Sequence, residues 1–161
     1  VQFALIGLGI MKDEASVKAM SRTGDPKEIL RGPLYYGIVF VLMTLIFWKD
    51  SPIGIIALML MCGGDGIADV VGRRVKSPKL PWSKEKSVAG SLAVFLGGWA
   101  LAFLVVSIYG YAGVAGFSSS KLIMPIAIIS FGGMIVESLP FKDIDNLSIT
   151  IAAVFLGFFL F

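Results

Sequence analysis

Apolar positions in this chain come in long unbroken runs, separated by short polar interruptions and without alternation. Residues 34–48, 53–62, 88–109, 122–139 and 147–161 are the main runs. A continuous run predicts a helix that is apolar on all sides, the form suited to lipid surroundings. The two-residue period of a membrane β-barrel is absent. The expected architecture is therefore all-α: a polytopic transmembrane helical bundle of about five to six membrane segments, forming one domain over 1–161. Residues 1–11 are apolar but too short to span, and the chain starts at Val1 inside that run. It is expected to be a fragment, with 1–11 the tail of a helix that starts earlier.

The polar interruptions set the connections. Within 12–33, Asp25-Pro26-Lys27-Glu28 has the form of a helix start, with Asp as N-cap, Pro at N1 and Glu at N3. Gly32-Pro33 then ends that helix and begins the next. Lys49-Asp50-Ser51-Pro52 divides 34–62, either as a kink in one span or as a hairpin of two. Ser51-Pro52 favours the hairpin, as N-cap followed by N1. Each arm would then be short, about 22 Å or less at ~1.5 Å per residue. The hairpin also gathers the cations. It puts 12–33, 73–86 and 140–146 on one side with 12 of the 14 Lys and Arg, leaving Lys49 and Lys121 opposite. A single span would divide them, so the positive-inside rule supports the hairpin. The same side receives Asp65, Asp69, Glu137, Asp143 and Asp145. Residues 110–120 read as a Gly/Ser-rich connector.

Composition sharpens this picture in two respects. Hydrophobic residues make up 57% of the 161 and charged residues 16%, against about 45–50% and 25% in soluble domains; mean hydropathy is +0.87. There is no histidine and a single cysteine, Cys62. His-based acid–base chemistry, phosphohistidine, His-ligated metals and disulfide frameworks are excluded together.

Chemistry concentrates between Gly63 and Ser91. Asp65 and Asp69 are four apart and share one face of a helix. Carboxylates beside apolar spans are costly without a cation between them, and Mg²⁺ carrying a nucleotide polyphosphate would serve. Pairing with Arg73 or Arg74 is the plainer role. Gly64, Gly66 and Gly72 would let the backbone approach a phosphate, or would merely permit helices to approach each other. Arg73, Arg74, Lys84 and Lys86 would hold phosphate oxygens, although a basic loop beside a membrane is also ordinary topology. Ser87 opens a helix whose free N–H groups would add to phosphate binding. Glu137, at the end of an apolar run, is a candidate for holding a second metal or activating an alcohol. Asp145 and Asn146 read as N-cap residues. No G-x-x-x-x-G-K-[ST] occurs, which excludes a P-loop enzyme, and no nucleic-acid partner is expected.

These residues, in this order, resemble the phytol kinase family of plants and cyanobacteria. Farnesol kinase is a relative, and dolichol kinase and CTP-dependent phosphatidate cytidylyltransferase are more distant ones. The matching pieces are Ser21-Arg22-Thr23-Gly24-Asp25-Pro26, Leu30-Arg31-Gly32-Pro33-Leu34-Tyr35-Tyr36, Gly64-Asp65-Gly66-Ile67-Ala68-Asp69-Val70-Val71-Gly72-Arg73-Arg74, Lys84-Glu85-Lys86-Ser87-Val88-Ala89-Gly90-Ser91, Val136-Glu137-Ser138-Leu139-Pro140 and Asp145-Asn146-Leu147. Ile144 departs from the pattern, where an acid is expected. The resemblance implies an enzyme of plastid membranes that moves the terminal phosphate of CTP to phytol, feeding tocopherol synthesis. Asp65 and Asp69 would bind Mg²⁺–nucleotide; Arg73, Arg74, Lys84 and Lys86 would contact phosphates; Glu137 would lie near the alcohol. Farnesol or geranylgeraniol as substrate, cytidylyl transfer, and a non-enzymatic membrane carrier are the alternatives. The cytidylyltransferase pattern H-G-G-x-x-D-R needs a histidine that this chain lacks. Oligomeric state is not legible.

Overall fold

The structure, a computed structural model, describes every residue except 22, 49 and 141–143. Expectations that rest on Arg22, Lys49, Lys142 and Asp143 lie outside the described residues. The chain begins with two short helices, α1 (Gln2–Gly7) and α2 (Glu14–Met20), the second capped by the Asp13 carboxylate on Ser16 N–H. Asp25 caps Pro26–Leu30 as expected, but the turn it opens is a five-residue 3-10 helix. Glu28 accepts from the Ser21 hydroxyl and from Thr23.

Five apolar helices follow: α3 (Gly32–Phe47), α4 (Pro52–Met59) running on into α5 (Gly66–Arg74), α6 (Val88–Tyr111), α7 (Ser119–Ser138) and α8 (Asp145–Leu160). Among the described residues, four stretches are long and apolar enough to cross a membrane: Pro26–Phe47, Pro52–Arg74, Val88–Tyr111 and Ser120–Ser138. Asp145–Leu160 is apolar but shorter.

The hairpin between α3 and α4 is present, and Ser51 caps α4 by accepting from Ile53 N–H. Its arms are longer than the sequence suggested. The second does not stop at Cys62; it passes through a π-helical turn, Leu60–Asp65, and continues to Arg74. Gly63 and Gly64 therefore lie inside a helix, where the lack of side chains lets α6 come close. A Cβ on Gly63 would fall 2.4 Å from Leu101 Cδ2, and one on Gly64 would fall 3.1 Å from the Val94 carbonyl oxygen. Close approach of this kind replaces the hydrophobic drive that helices lose in lipid.

The α4 helix sits at the centre of the bundle, touching α3, α6 and α8, and all its residues but Met59 are buried. Consecutive helices pair in up-and-down fashion, α6 on α7 and α7 on α8. Leu60 fills the centre against Gly98 and Gly133, with Ile56, Ile126, Ile129 and Ile149 around it. The outer faces remain apolar: Leu45 and Ile46 on α3, and Phe155, Phe158 and Phe159 on α8, are exposed. That surface is suited to lipid. Among the described residues, one element is not helical. Residues 79–87 form a hairpin of β1 (Lys79–Leu80) and β2 (Ser83–Ser87) at the polar end of the bundle. It is small, and it organises the site.

Candidate active site

Four chain segments meet at this polar end. They enclose a cavity of ≈ 500 Å³. The floor is α5, which presents Asp65, Gly66, Asp69, Gly72 and Arg73 on adjoining positions of one side. Lys86 and Ser87 of β2 form one wall, continued by Gly90 and Ser91 at the start of α6. Glu137, from the end of α7, and Asp145, from the start of α8, complete it.

Lys86 is the tie between these segments. Its Nζ donates to Glu137 Oε1 at 2.6 Å and to Asp145 Oδ2 at 2.8 Å. The Lys86 and Glu137 side chains are 19% and 6% exposed, so this is a largely buried pairing, with Asp145 more open at 27%. Burial pushes the Lys86 ammonium down, but the hydrogen bonds it donates to Asp145 and Glu137 and their negative charges outweigh it, and the group ends above its ordinary value. Lys86 thus stays charged throughout the physiological range. An ammonium has three donors, and these two carboxylates occupy two of them. The Ser91 hydroxyl lies 3.4 Å from the other Glu137 oxygen.

The hairpin is what carries Lys86 to this place. Trp82 at its tip donates its indole N–H to the Ser138 carbonyl at 2.9 Å, one residue beyond Glu137. Lys79 Nζ donates to the Glu85 carbonyl across the hairpin at 2.8 Å. Ser87 then caps α6 by accepting from Gly90 N–H at 3.2 Å. The start of α6 differs from the expected free anion site. Its first N–H groups are already used, Val88 by the Pro78 carbonyl, Ala89 by Ser77 Oγ and Gly90 by Ser87 Oγ. What α6 offers the cavity is the positive end of its dipole and the Ser87 and Ser91 hydroxyls.

Asp69 and Arg73 form a two-point ion pair one helical turn apart, Nε to Oδ1 at 2.9 Å and Nη2 to Oδ2 at 2.8 Å. The plainer role anticipated for Asp69 is thus realised. The pair is exposed, 71% for Arg73 and 55% for Asp69, and exposed pairs open at little cost. Asp65 is half-buried and lies within electrostatic reach of Lys86, Asp145, Glu137 and Asp69.

Of the residues expected here, Asp65, Asp69, Glu137, Gly66, Gly72, Arg73, Lys86 and Ser87 line the cavity. Gly64, Arg74 and Lys84 do not: Gly64 faces Val94, and the other two are exposed elsewhere on the same end. Gly66 is open, with nothing within 4 Å of where a Cβ would stand. Asp145 was read only as a cap, yet its carboxylate meets Lys86 and its own helix has no side-chain cap. Ser91 and Gly90 carried no signal beyond their place in the Lys84–Ser91 stretch.

Among the described residues no group of three or more acidic or cysteine side chains is placed to hold a metal unaided. Asp65 and Asp69, side by side on α5, fit the looser requirement of Mg²⁺ that arrives on a polyphosphate and takes one or two carboxylates from the protein.

No family model and no solved structure matches the chain. A probable phytol kinase, chloroplastic, of Triticum aestivum is 43% identical over 163 residues, covering 100% of this chain and 54% of that protein. Farnesol kinase, chloroplastic, of Arabidopsis thaliana is 42% identical, covering 100% and 53%. Phytol kinase 1, chloroplastic, of the same plant is 34% identical, covering 100% and 54%. The chain spans about half the length of these curated relatives. Over that length, it is similar to phytol and farnesol kinases.

Proposed function

We infer that this chain carries the phosphoryl-transfer site of a prenyl alcohol kinase of a plastid membrane. In this reading CTP, or another nucleoside triphosphate, gives its terminal phosphate to phytol, and phytyl phosphate feeds tocopherol synthesis. The observation that carries the reading is the cavity at the polar end of an apolar bundle, where five carboxylates and three cations converge. A bilayer-dissolved alcohol and a water-borne polyphosphate can meet only at such a boundary. The names of the similar proteins supply the substrate class.

The chemistry needs little from the protein beyond position and charge. The alcohol oxygen forms a bond to the γ-phosphorus while the bond from that phosphorus to the β–γ bridging oxygen breaks, and the nucleoside diphosphate leaves. The alcohol proton passes to a carboxylate, for which Glu137 is the candidate, or to water. Arg73 is released from Asp69 to hold phosphate oxygens as a fork. Lys86, fixed by Glu137 and Asp145, has one donor left for the transferred group. Ser87 and Ser91 can donate hydroxyl hydrogen bonds to it. Asp65 and Asp69 would hold Mg²⁺, which would supply charge neutralisation to the polyphosphate.

Farnesol is the second substrate to consider, because the farnesol kinase is more similar than Arabidopsis phytol kinase 1. Membranes containing the full-length protein, given γ-labelled CTP, Mg²⁺ and a series of alcohols, test the reading. Labelled prenyl phosphate that disappears with Asp65→Asn supports it. Release of pyrophosphate would indicate cytidylyl transfer instead, and no labelled lipid with any alcohol would overturn the reading.

A further inference from the structure

A second concavity lies on the seam between α3 and α4, towards the opposite end of the bundle. It measures ≈ 300 Å³, and Met43 and Thr44 of α3, Ile55, Leu58 and Met59 of α4, and Val105 of α6 form much of its wall. No charged side chain among the described residues lines it. The Thr44 hydroxyl is turned away from any ligand, donating to the Phe40 carbonyl at 2.8 Å.

The α3–α4 seam runs from this cavity towards the polar one, packed on the way by Val39, Leu58 and Met61. Midway, the Tyr36 hydroxyl of α3 donates to Cys62 Sγ at 2.8 Å, and Tyr36 is within electrostatic reach of Asp65. From Asp65 back to Leu58 and Ile55 the helix covers about 10–15 Å, at ~1.5 Å per residue. A C20 prenyl alcohol has a main chain of about sixteen carbons and extends to roughly 20 Å, a C15 alcohol to roughly 15 Å and a C10 alcohol to roughly 10 Å. With the hydroxyl in the carboxylate cavity, only the longer chains reach the far cavity. Met43 and Met59 suit a methyl-branched chain, because thioether side chains adapt to irregular shapes. Most of the α3 surface is exposed, so a chain dissolved in lipid can enter sideways.

We propose that this apolar cavity holds the far end of the prenyl chain, so that the α3–α4 seam measures chain length for the kinase. The proposal rests on the prenyl alcohol kinase reading, and it assigns that enzyme a tail subsite. Bulk phospholipid acyl chain is the competing occupant.

The test uses the full-length protein in bilayers and a C20 prenyl alcohol with a diazirine at its far end. After irradiation, labelled peptides are mapped with and without excess phytol. Labelling of Met43, Leu58 or Met59 that phytol suppresses supports the subsite. Labelling confined to the outer faces of α7 and α8, or labelling of the seam that phytol does not suppress, overturns it. Met59→Trp gives a second readout, a preference for C20 over C10 alcohol that falls by about tenfold or more. An unchanged preference refutes the proposal. The two readings fail separately. Turnover with labelling elsewhere removes only the tail subsite, whereas suppressible labelling without turnover of any alcohol removes the kinase and keeps the site.

Discussion

Replacing Lys86 by methionine separates what this residue does for the fold from what it does for phosphate. The substitution keeps most of the volume and removes the charge that faces Glu137 at 2.6 Å and Asp145 at 2.8 Å. Removing one partner of a buried ion pair costs roughly 3–5 kcal/mol, because the other charge stays buried and uncompensated. Asp145 is partly open to water, so the lower end, ~3 kcal/mol, applies here. Lys86→Met in Glu137→Gln should recover part of that loss, with a coupling of ~1–3 kcal/mol between the two positions. Stability is read from denaturant titration in mixed micelles, and transfer from labelled nucleotide on the same samples. If Lys86 also contacts the transferred phosphate, the double variant regains stability and stays inactive. Additive stability effects would refute the ion-pair argument. Recovered activity in the double variant would refute a role for Lys86 at phosphate.

Four further outcomes are expected. Gly66→Ala has room for its methyl group and gains up to ~1 kcal/mol of helix propensity, yet it narrows the cavity, so activity should fall while thermal stability holds. Gly64→Val drives a side chain at the Val94 backbone and should cost about 1–3 kcal/mol, seen as a lower melting temperature. Trp82→Phe loses the indole bond to Ser138 and should cost ~1 kcal/mol, with weaker nucleotide binding as the hairpin loosens. As for pH, Lys86 is raised in the folded protein above its ordinary 10.5. Its contribution is complete below 10.5 and is lost as pH rises through the folded value. A stability profile should therefore show no loss from this group between pH 7 and 10, and Lys86→Met should remove an alkaline loss above that range.

Much of this arrangement was legible because lipid imposes a simple rule on sequence. Continuous apolar runs became helices, Ser51-Pro52 opened α4, and Ser87 capped α6. The continuation through Gly63 and Gly64 was not legible, since a glycine pair followed by Asp65 suggests a break in an isolated chain. In the fold it runs on through a π-helical turn, packed against Leu101 and Val94 of another helix. The β-hairpin was hidden for a similar reason. Its strands are polar and flanked by Pro78 and Pro81, and its fixed position depends on Trp82 reaching Ser138 across the fold. Asp145 looked like a cap because position in sequence shows nothing of Lys86, 59 residues earlier. The α5 face was readable from spacing alone, with Asp65, Asp69 and Gly72 recurring at helical intervals.

The three-way contact at Lys86 also fixes an order of events during synthesis. The cation leaves the ribosome well before either carboxylate that neutralises it, with one full apolar span, α6, emerging in between and a second, α7, ending at Glu137. Until that second span is inserted, the hairpin has neither its ion pair nor the Ser138 carbonyl that anchors Trp82. A nascent chain arrested before Glu137 can hold its early helices in the bilayer, but its polar end stays unassembled. The contact at Lys86 is therefore completed last, when α8 brings Asp145 to the cation.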